Sequence, residues 1–246
     1  MTFELSETTS GWPPERTVFP VTYIDLRILE GEHPFHTEQK PAVQENWTKE
    51  VAANPALFDG RMILQHRLSV SEEGIVGEGY VIPFSTFMWW RKQVPRKEGF
   101  HLFAYAVLET RDGALVAIRM GEHTANAGQV YFAAGSFEEI DVVDGRCDIE
   151  GNMRREVLEE TGLDLRVAAA GEGYFASQDQ RVVTVFRLFR FDMTAQEMVE
   201  RIERHMLVAE DKEIAGAVAI GSADHGAHPY NLAMLPVIDW YFKEKR

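Results

Sequence analysis

The stretch from Arg155 to Leu163 restricts the fold of this 246-residue chain more than any other. In an α-helix, Glu156, Glu159 and Glu160 occupy positions i, i+3 and i+4, so their carboxylates share one face. Gly162 stands where helices commonly end on a glycine. The stretch therefore predicts the end of a helix that carries a concentrated acidic face.

The same helix is predicted to begin near Asp148 and to run to Thr161. Met153, Val157 and Leu158 supply its apolar side. We expect Val157 and Leu158 to hold the helix against a sheet, on the side away from the glutamates.

The acidic face has two interpretations. Like charges at this spacing destabilise a helix by roughly 0.2–0.5 kcal/mol per pair, which favours a bound cation that neutralises them. Clustered hard oxygen ligands suit Mg²⁺ or Mn²⁺ rather than zinc, and Arg155 is placed to orient Glu156 by charge-assisted hydrogen bonds. The second interpretation is an ordinary solvated surface. A strand that ends at Gly135 precedes the helix across a polar loop, and this context favours the metal site.

At these residues the chain resembles the Nudix hydrolases, whose sequence box reads G-x5-E-x7-R-E-U-x-E-E-x-G-U, with U a bulky aliphatic residue. The second half of the box matches Arg155 to Leu163 without a mismatch. The first half departs, because the box glutamate falls on Cys147 and the opening glycine on Asp141 when they are counted back from Arg155.

Gly135 fits the opening glycine better, since it directly follows a predicted strand. That alignment puts about six extra residues into the box loop, between Glu138 and Gly145. Asp148 or Glu150 is then expected to replace the missing carboxylate.

The resemblance covers roughly residues 100–246 and implies an α+β fold of the Nudix type. Such a fold is an α/β/α sandwich with a mixed central sheet, here preceded by a smaller strand-rich N-terminal segment. The resemblance also implies hydrolysis of a nucleoside diphosphate linked to a further group, dependent on a divalent metal. By position, the metal (Mg²⁺ or Mn²⁺) would be held by Glu156, Glu159, Glu160 and the backbone carbonyl of Gly135, with Arg155 supporting Glu156.

Members of this family often add a glutamate from a late loop as a ligand or general base. The corresponding segment here is 210–213, just before a predicted strand, and its alternative is a plain solvated turn. We favour Glu213 over Glu210, because Glu213 adjoins the strand and is better fixed.

A second resemblance lies in the N-terminal third of the chain. Trp47, followed by the stretch from Asn54 to Arg61, is similar to the start of Nudix proteins that act on UDP-glucose. It implies a nucleotide sugar as the substrate, cleaved to a nucleoside monophosphate and a sugar 1-phosphate. A Nudix-fold protein that binds such a nucleotide without cleaving it is the alternative from another functional class.

Elsewhere, strands are followed by helices without regular alternation, which favours an α+β fold. Strands are predicted over residues 18–29, 61–70, 75–82, 100–110, 114–120, 130–134, 165–170, 181–191 and 214–220, and helices over 41–53, 148–161, 194–206 and 230–243. A linker-like segment at 94–99 divides the chain into an N-terminal strand-rich segment (1–98) and a Nudix hydrolase domain (99–246).

Composition limits the partners. With 25 basic and 39 acidic residues the net charge is −14, which disfavours nucleic acid as a partner. No apolar run is long enough for a membrane helix, and the single Cys147 fits a reducing compartment, so we expect a cytoplasmic protein without a membrane partner. A homodimer is an expectation from the family resemblance alone.

Three further clusters have competing interpretations. The aromatic residues Phe84, Phe87, Trp89 and Trp90 are expected in the core, with nucleobase stacking as the alternative. The basic residues Arg91, Lys92, Arg96 and Lys97 are expected in a solvated linker, with substrate phosphates as the alternative. The histidine pairs 33/36 and 225/228 have spacing compatible with zinc, but a zinc site is not expected without further matching ligands.

Overall fold

The computed structural model describes residues 3–209 and 212–244. The strands are β1 (Phe19–Val21), β2 (Ile24–Ile28), β3 (Arg61–Val70), β4 (Ile75–Pro83), β5 (His101–Glu109), β6 (Leu115–Met120), β7 (Val130–Tyr131), β8 (Val142–Val143), β9 (Arg146–Cys147), β10 (Ala169–Ala170), β11 (Tyr174–Asp179), β12 (Val182–Arg190) and β13 (Ile214–Ile220). The α-helices are α1 (Pro34–Ala53), α2 (Phe84–Trp90), α3 (Ile149–Thr161), α4 (Ala195–Val208) and α5 (Leu235–Asp239).

The larger sheet has eight strands, with β1-β11-β12-β5-β6-β13 along its main path. Strand β10 pairs with β12, and β7 pairs with β6. β12 runs parallel to β5, in register from Val182 opposite His101 to Arg190 opposite Glu109, whereas the other pairings are antiparallel. This mixed sheet carries β5 and β7, whose residues form one wall of the candidate site.

The smaller sheet has five strands in the order β3-β4-β2-β9-β8. Its last two strands come from the box loop, which is therefore folded as a β-hairpin. Asp144 and Gly145 form the two-residue turn with positive φ angles of 50° and 73°, the combination that tight hairpins require. Arg146 of this hairpin pairs with Arg27 of β2 and forms an ion pair with Asp25 at 2.8 Å.

Each of the two parts of the chain contributes strands to the sheet of the other part. β1, from the N-terminal part, pairs with β11 of the larger sheet, and the box-loop hairpin joins the sheet built from N-terminal strands. The main hydrophobic core likewise contains residues of both parts, such as Leu26, Ile63, Val107 and Val157. The predicted boundary after residue 98 falls in the segment between α2 and β5.

Helix α3 lies against β5 and α4, and α4 contacts β13 and β6. Met153 and Val157 of α3 are fully buried, as expected for the apolar side of the helix. The prediction for Leu158 was wrong, because its side chain is 49% exposed. One helical position rotates the side chain by about 100°, so the residue after a buried Val157 turns away from the sheet.

The predicted fold class is confirmed as an α+β arrangement with a mixed central sheet, helices packed against it and a strand-rich N-terminal part. Several element boundaries differ from the predictions. The strand expected over 18–29 is two strands, and the helix expected from 41 begins at Pro34. His33 caps this helix through its imidazole Nδ1, which accepts from Phe35 N at 3.1 Å, and Pro34 is well suited to a first helical turn.

Three further differences lie in the C-terminal half. The strand expected over 165–170 is a 3₁₀ turn (Leu165–Val167) followed by the two-residue β10, and β11 was not predicted. The helix expected over 230–243 is a 3₁₀ turn (Leu232–Met234), then α5, then a π-helical segment (Trp240–Glu244). Among the described residues, no helix has the length and apolar character needed to cross a bilayer.

Candidate active site

Helix α3 presents the glutamates of the sequence motif to the loop after β7. Asp148 caps the helix by accepting a hydrogen bond from Gly151 N at 2.9 Å, and Gly162 ends it in the left-handed conformation with φ of 67°. Glu156 lies directly against Gly135, where an added Cβ would overlap with the Glu156 carboxylate. Glycine is therefore required at position 135 for the loop and the carboxylate to approach one another.

The three glutamates differ in burial. Glu156 and Glu160 are only 8% and 9% exposed, whereas the side chain of Glu159 is 59% exposed. Glu160 accepts a hydrogen bond from Ala134 N at 3.0 Å. The predicted common acidic face thus consists of two buried carboxylates and one at the solvent boundary.

Burial raises the pKa of the two buried glutamates, Glu156 and Glu160. It raises the pKa of Glu156 to about 8, with the charge of Arg155 acting in the opposite direction. Burial also raises the pKa of Glu160 well above its ordinary value, and the charges of Glu156 and Glu213 add to the rise. Two buried carboxylates with raised pKa values, one of them raised further by the charge of the other, favour either a bound proton or a bound cation.

Arg155 contacts two of the three motif glutamates, Glu156 and Glu159. Its guanidinium lies 2.7 Å from Glu156 Oε1 and donates to Glu159 Oε2 at 3.0 Å. Burial alone would lower the pKa of Arg155, but the hydrogen bonds and charge of Asp141 and the two glutamates raise it. The predicted pairing of Arg155 with Glu156 is therefore present in the structure.

The carboxylate that completes the arginine contacts is Asp141. It accepts from Arg155 through both oxygens, at 3.1 Å and 2.9 Å, and from Asn152 Nδ2 at 2.9 Å. The expectation that Asp148 or Glu150 replaces the missing box carboxylate was wrong. Asp148 caps α3 and Glu150 pairs with Arg154 and Arg187, so neither is engaged with Arg155.

Sequence reasoning missed Asp141 because spacing alone placed it on the opening glycine of the box. A local signal exists, since Asp141 forms a capping box with Glu138 around the 3₁₀ turn Glu139–Asp141. That turn and the hairpin after it hold Asp141 beside α3 despite the extra loop residues.

Glu213 lies at the start of β13 and lines the same cleft as the motif glutamates. Its backbone carbonyl accepts from Gly121 N at 2.7 Å, which anchors the residue to the end of β6. Its charge raises the pKa of both Glu160 and Tyr131. The other residue considered for this role, Glu210, lies outside the described residues.

A cleft of about 1980 Å³ runs from the glutamates to the N-terminal part of the chain. The stretch from Asn54 to Arg61 contributes to its lining, with Phe58 and Arg61 among the lining residues. Asn54 ends α1 and donates to His123 O at 2.8 Å, which ties this stretch to the loop after β6. Both parts of the chain thus contribute to one cleft.

The aromatic cluster is mostly core, as expected. Trp90 and Phe87 are buried and pack with Phe35, while Phe84 and Trp89 are partly buried around them. Phe87 continues into a row of rings with His101, Phe103 and Tyr105, with centroids 4.6, 5.2 and 5.0 Å apart. This row lines the cleft beside Ser136, whose hydroxyl is 3.1 Å from His101 Nε2.

The paired histidines are engaged elsewhere. His33 caps α1, and His36 is hydrogen-bonded to Thr86 Oγ1 at 2.7 Å. His225 pairs with Asp239 at 2.9 Å, and His228 packs against Tyr230.

A divalent metal is compatible with the glutamate cluster in its donor chemistry. The buried carboxylates of Glu156 and Glu160 are hard oxygen donors beside a glycine loop that leaves no room for a Cβ. Within residues 3–209 and 212–244, no three acidic, cysteine or histidine side chains already converge as a ligand set. The guanidinium of Arg155 contacts the Glu156 carboxylate, and the backbone N–H of Ala134 donates to Glu160.

No protein-family model and no curated protein matches the sequence. Among solved structures, the chain is similar to DR0079 from Deinococcus radiodurans, with a TM-score of 0.46, 15% identity and coverage of 74% of this chain and 99% of that one. It is similar to a NUDIX hydrolase from Nitrosomonas europaea, with a TM-score of 0.36, 18% identity and coverage of 58% and 88%.

A third similar structure is the NUDIX domain of Shewanella oneidensis NrtR in complex with ADP ribose, with a TM-score of 0.38, 16% identity and coverage of 57% of this chain and 84% of that one. Likeness of this size leaves the function to be argued from the residues of the site.

Proposed function

We propose that the chain is a divalent-metal-dependent Nudix hydrolase that cleaves the diphosphate of a nucleoside diphosphate linked to a further group. A nucleotide sugar of the UDP-glucose or ADP-ribose type is the first candidate substrate. The observation that carries the proposal is the pair of buried carboxylates, Glu156 and Glu160, set against Gly135 on the wall of a large cleft. Burying two like charges together is costly, and a divalent cation would offset that cost.

Glu156, Glu159, Glu160 and the Gly135 carbonyl are the residues that would hold Mg²⁺ or Mn²⁺. When bound there, the metal would supply a polarised phosphate oxygen and an activated water. Arg155 holds Glu156 and Glu159 in place, because its guanidinium contacts both, and its charge opposes the rise that burial causes in the pKa of Glu156. The Ala134 backbone N–H fixes one oxygen of Glu160.

Glu213 is our candidate for the general base, with Glu156 and Glu159 as the other carboxylates able to take the proton from water. It lines the cleft directly before β13, and the Gly121 contact fixes its backbone. A carboxylate outside the cluster can accept a proton without giving up a metal ligand.

The size of the cleft supports a substrate larger than a simple phosphate ester. Sites for small molecules commonly enclose roughly 300–1,000 Å³, and this open cleft measures about 1980 Å³. A cleft of this volume can hold a nucleoside, a diphosphate and a sugar together. The contribution of Phe58 and Arg61 to its lining agrees with the N-terminal resemblance to UDP-glucose-acting proteins.

Hydrolysis is tested with a panel of nucleoside diphosphate compounds that includes UDP-glucose and ADP-ribose, read as phosphate release after coupling to a phosphatase. We expect turnover with Mg²⁺ or Mn²⁺ and none in EDTA. Glu160→Gln should lower turnover by orders of magnitude, whereas Glu200→Gln, at an exposed position of α4, should match the wild type. Equal turnover in both variants would contradict the proposed site.

A nucleotide-binding protein without hydrolytic activity is the second candidate, favoured by the lack of a converged ligand set among the described residues. Calorimetric titration of the same compounds separates the two functions. Binding with no turnover in either metal would support the binding protein and contradict the hydrolase.

A further inference from the structure

Two arginines outside the motif helix line the cleft. Arg91 directly follows α2, Arg96 lies in the segment after it, and both line the cleft. The sequence placed them in a solvated linker with Lys92 and Lys97, but only the two lysines are exposed. Arg91 and Arg96 are partly buried, which is unusual for cations in a connecting segment.

Neither guanidinium is neutralised by an acidic side chain. Among the residues that the structure describes, Arg91 and Arg96 form no ion pair, and their polar contacts are to uncharged groups. Arg91 donates to Asn126 Oδ1 at 3.1 Å, and Arg96 donates to the carbonyls of Gln180 and Arg91 at 3.2 Å. Nε of Arg96 is buried without a hydrogen-bond partner.

The acids nearest to this pair are already engaged. Asp179 favours the charged form of Arg96, but it pairs with Arg16 at 2.8 Å. Glu50 favours the charged form of Arg91, but it pairs with Lys92. Burial lowers the pKa of both arginines, and each of them also helps to lower the pKa of the buried His101. The cleft therefore has a positive side whose two guanidinium groups form no ion pair among the described residues.

Uncharged groups connect this positive side to the carboxylates. Asn126 accepts from Arg91, and its side chain also acts on the nearby Tyr131 phenol, whose pKa it lowers. The pKa of Tyr131 is raised by burial and by the charge of Glu160, so the phenol lies near the acidic cluster. Tyr131 and Asn126 thus stand between the two charged sides.

We propose that Arg91 and Arg96 form a phosphate-binding site that holds the part of the substrate's diphosphate not held at the glutamate cluster. This inference rests on the proposed hydrolase function, because it assigns the phosphate to that substrate. Partly desolvated guanidinium groups without an acidic partner are stabilised by an anion, and their planar donors fit phosphate oxygens. With one part of the diphosphate held at the glutamate cluster and the other at the two arginines, the cleft binds the diphosphate in one orientation.

Arg181 is a matched control that tests whether Arg91 and Arg96 act only through packing. Arg181 is also partly buried, lies over the Phe100 ring at 4.5 Å and donates to the carbonyls of Gly99 and Glu7. Arg96 similarly lies over the Trp90 ring at 5.0 Å. Arg181 does not line the cleft, so Arg181→Gln removes a comparable packing role without removing charge from the site.

The test is calorimetric titration with inorganic pyrophosphate in EDTA and low salt, so that neither metal nor turnover is involved. We expect wild type and Arg181→Gln to bind pyrophosphate with the same Kd. Arg91→Gln and Arg96→Gln should each bind it roughly tenfold or more weakly, the usual effect of losing a hydrogen bond to a charged group. Added NaCl should weaken binding to the wild type more than to Arg91→Gln.

Arg91→Lys keeps the charge and the apolar stem, and should bind pyrophosphate more tightly than Arg91→Gln. It keeps the inference testable if the glutamine variant fails to fold by circular dichroism. Absence of pyrophosphate binding to the wild-type chain, equal Kd values across the variants, or preferential binding of malonate would overturn the inference. A chain that binds pyrophosphate through Arg91 but hydrolyses no nucleotide would retain this site and lose the proposed function.

Discussion

Arg155 and Asp141 form a bidentate ion pair that fixes the motif helix to the box loop. Nε of Arg155 donates to Asp141 Oδ1 at 3.1 Å and Nη2 donates to Oδ2 at 2.9 Å. The same guanidinium contacts Glu156 at 2.7 Å. The buried Asp141 thus holds Arg155 against the glutamate cluster.

We predict that Asp141→Asn lowers the apparent affinity for Mg²⁺ in the activity assay. The amide keeps the shape but removes the charge that aligns Arg155, so the apparent Mg²⁺ affinity should fall by about 10–100-fold, the usual effect of losing a group that orients a metal ligand. The measurement is turnover against Mg²⁺ concentration. Asp144→Asn, at the exposed hairpin turn, is the control and should follow the wild-type curve.

Replacing Arg155 itself separates its geometry from its charge. Arg155→Ala should require about 10–100-fold more Mg²⁺, and Arg155→Lys should recover little of the loss, because an ammonium cannot contact Asp141, Glu156 and Glu159 with one planar group. High Mg²⁺ should partly restore both variants. Superimposable activity curves for the three proteins would show that Arg155 has no role at the metal.

Gly135→Ala is expected to abolish most activity while the chain still folds. The added methyl group would overlap with the Glu156 carboxylate, so the loop or the carboxylate must move. Gly221→Ala is the control, since nothing lies near its Cβ position and its φ angle is ordinary. Turnover and far-ultraviolet circular dichroism measure both effects. A fully active alanine variant would mean that the close approach of residue 135 to Glu156 is dispensable.

The stability of the N-terminal part should depend on His33 below neutral pH. Burial lowers the pKa of His33 to about 4, from an ordinary value near 6.5. A depressed pKa contributes stability that is present above pH 6.5 and is lost as the pH falls towards 4. At about 1.4 kcal/mol per pK unit, this contribution is at most roughly 3.5 kcal/mol. Protonation of Nδ1 also removes the acceptor that caps α1.

His33→Asn tests this dependence, because asparagine caps helices well and does not titrate. Urea unfolding from pH 7 to pH 4 should show a smaller loss of unfolding free energy in the variant than in the wild type. The difference between the two proteins removes the contribution of Glu156, whose raised pKa acts in the opposite direction. Parallel pH profiles would show that His33 is not responsible.

Several features followed from the sequence because they depend on neighbouring residues. The spacing of the glutamates, the apolar side and Gly162 together predicted α3 almost to the residue, and the structure adds that Asp148 caps its start. The helix predicted from residue 194 agrees with α4, whose start is fixed by a capping box between Thr194 and Glu197. Hydrogen bonds within one helical turn are decided locally, so composition and spacing carry the information.

The contacts that complete the candidate site were decided by tertiary structure. Asp141 reaches Arg155 only because the extra residues of the box loop fold into a hairpin that pairs with β2, a strand more than one hundred residues earlier in the chain. Arg91 is partly buried in the cleft, where it contacts Asn126, 35 residues later in the chain. Periodicity identifies which face of an element is apolar, but it does not identify the element that covers it, since strand pairing and charge burial depend on residues distant in sequence.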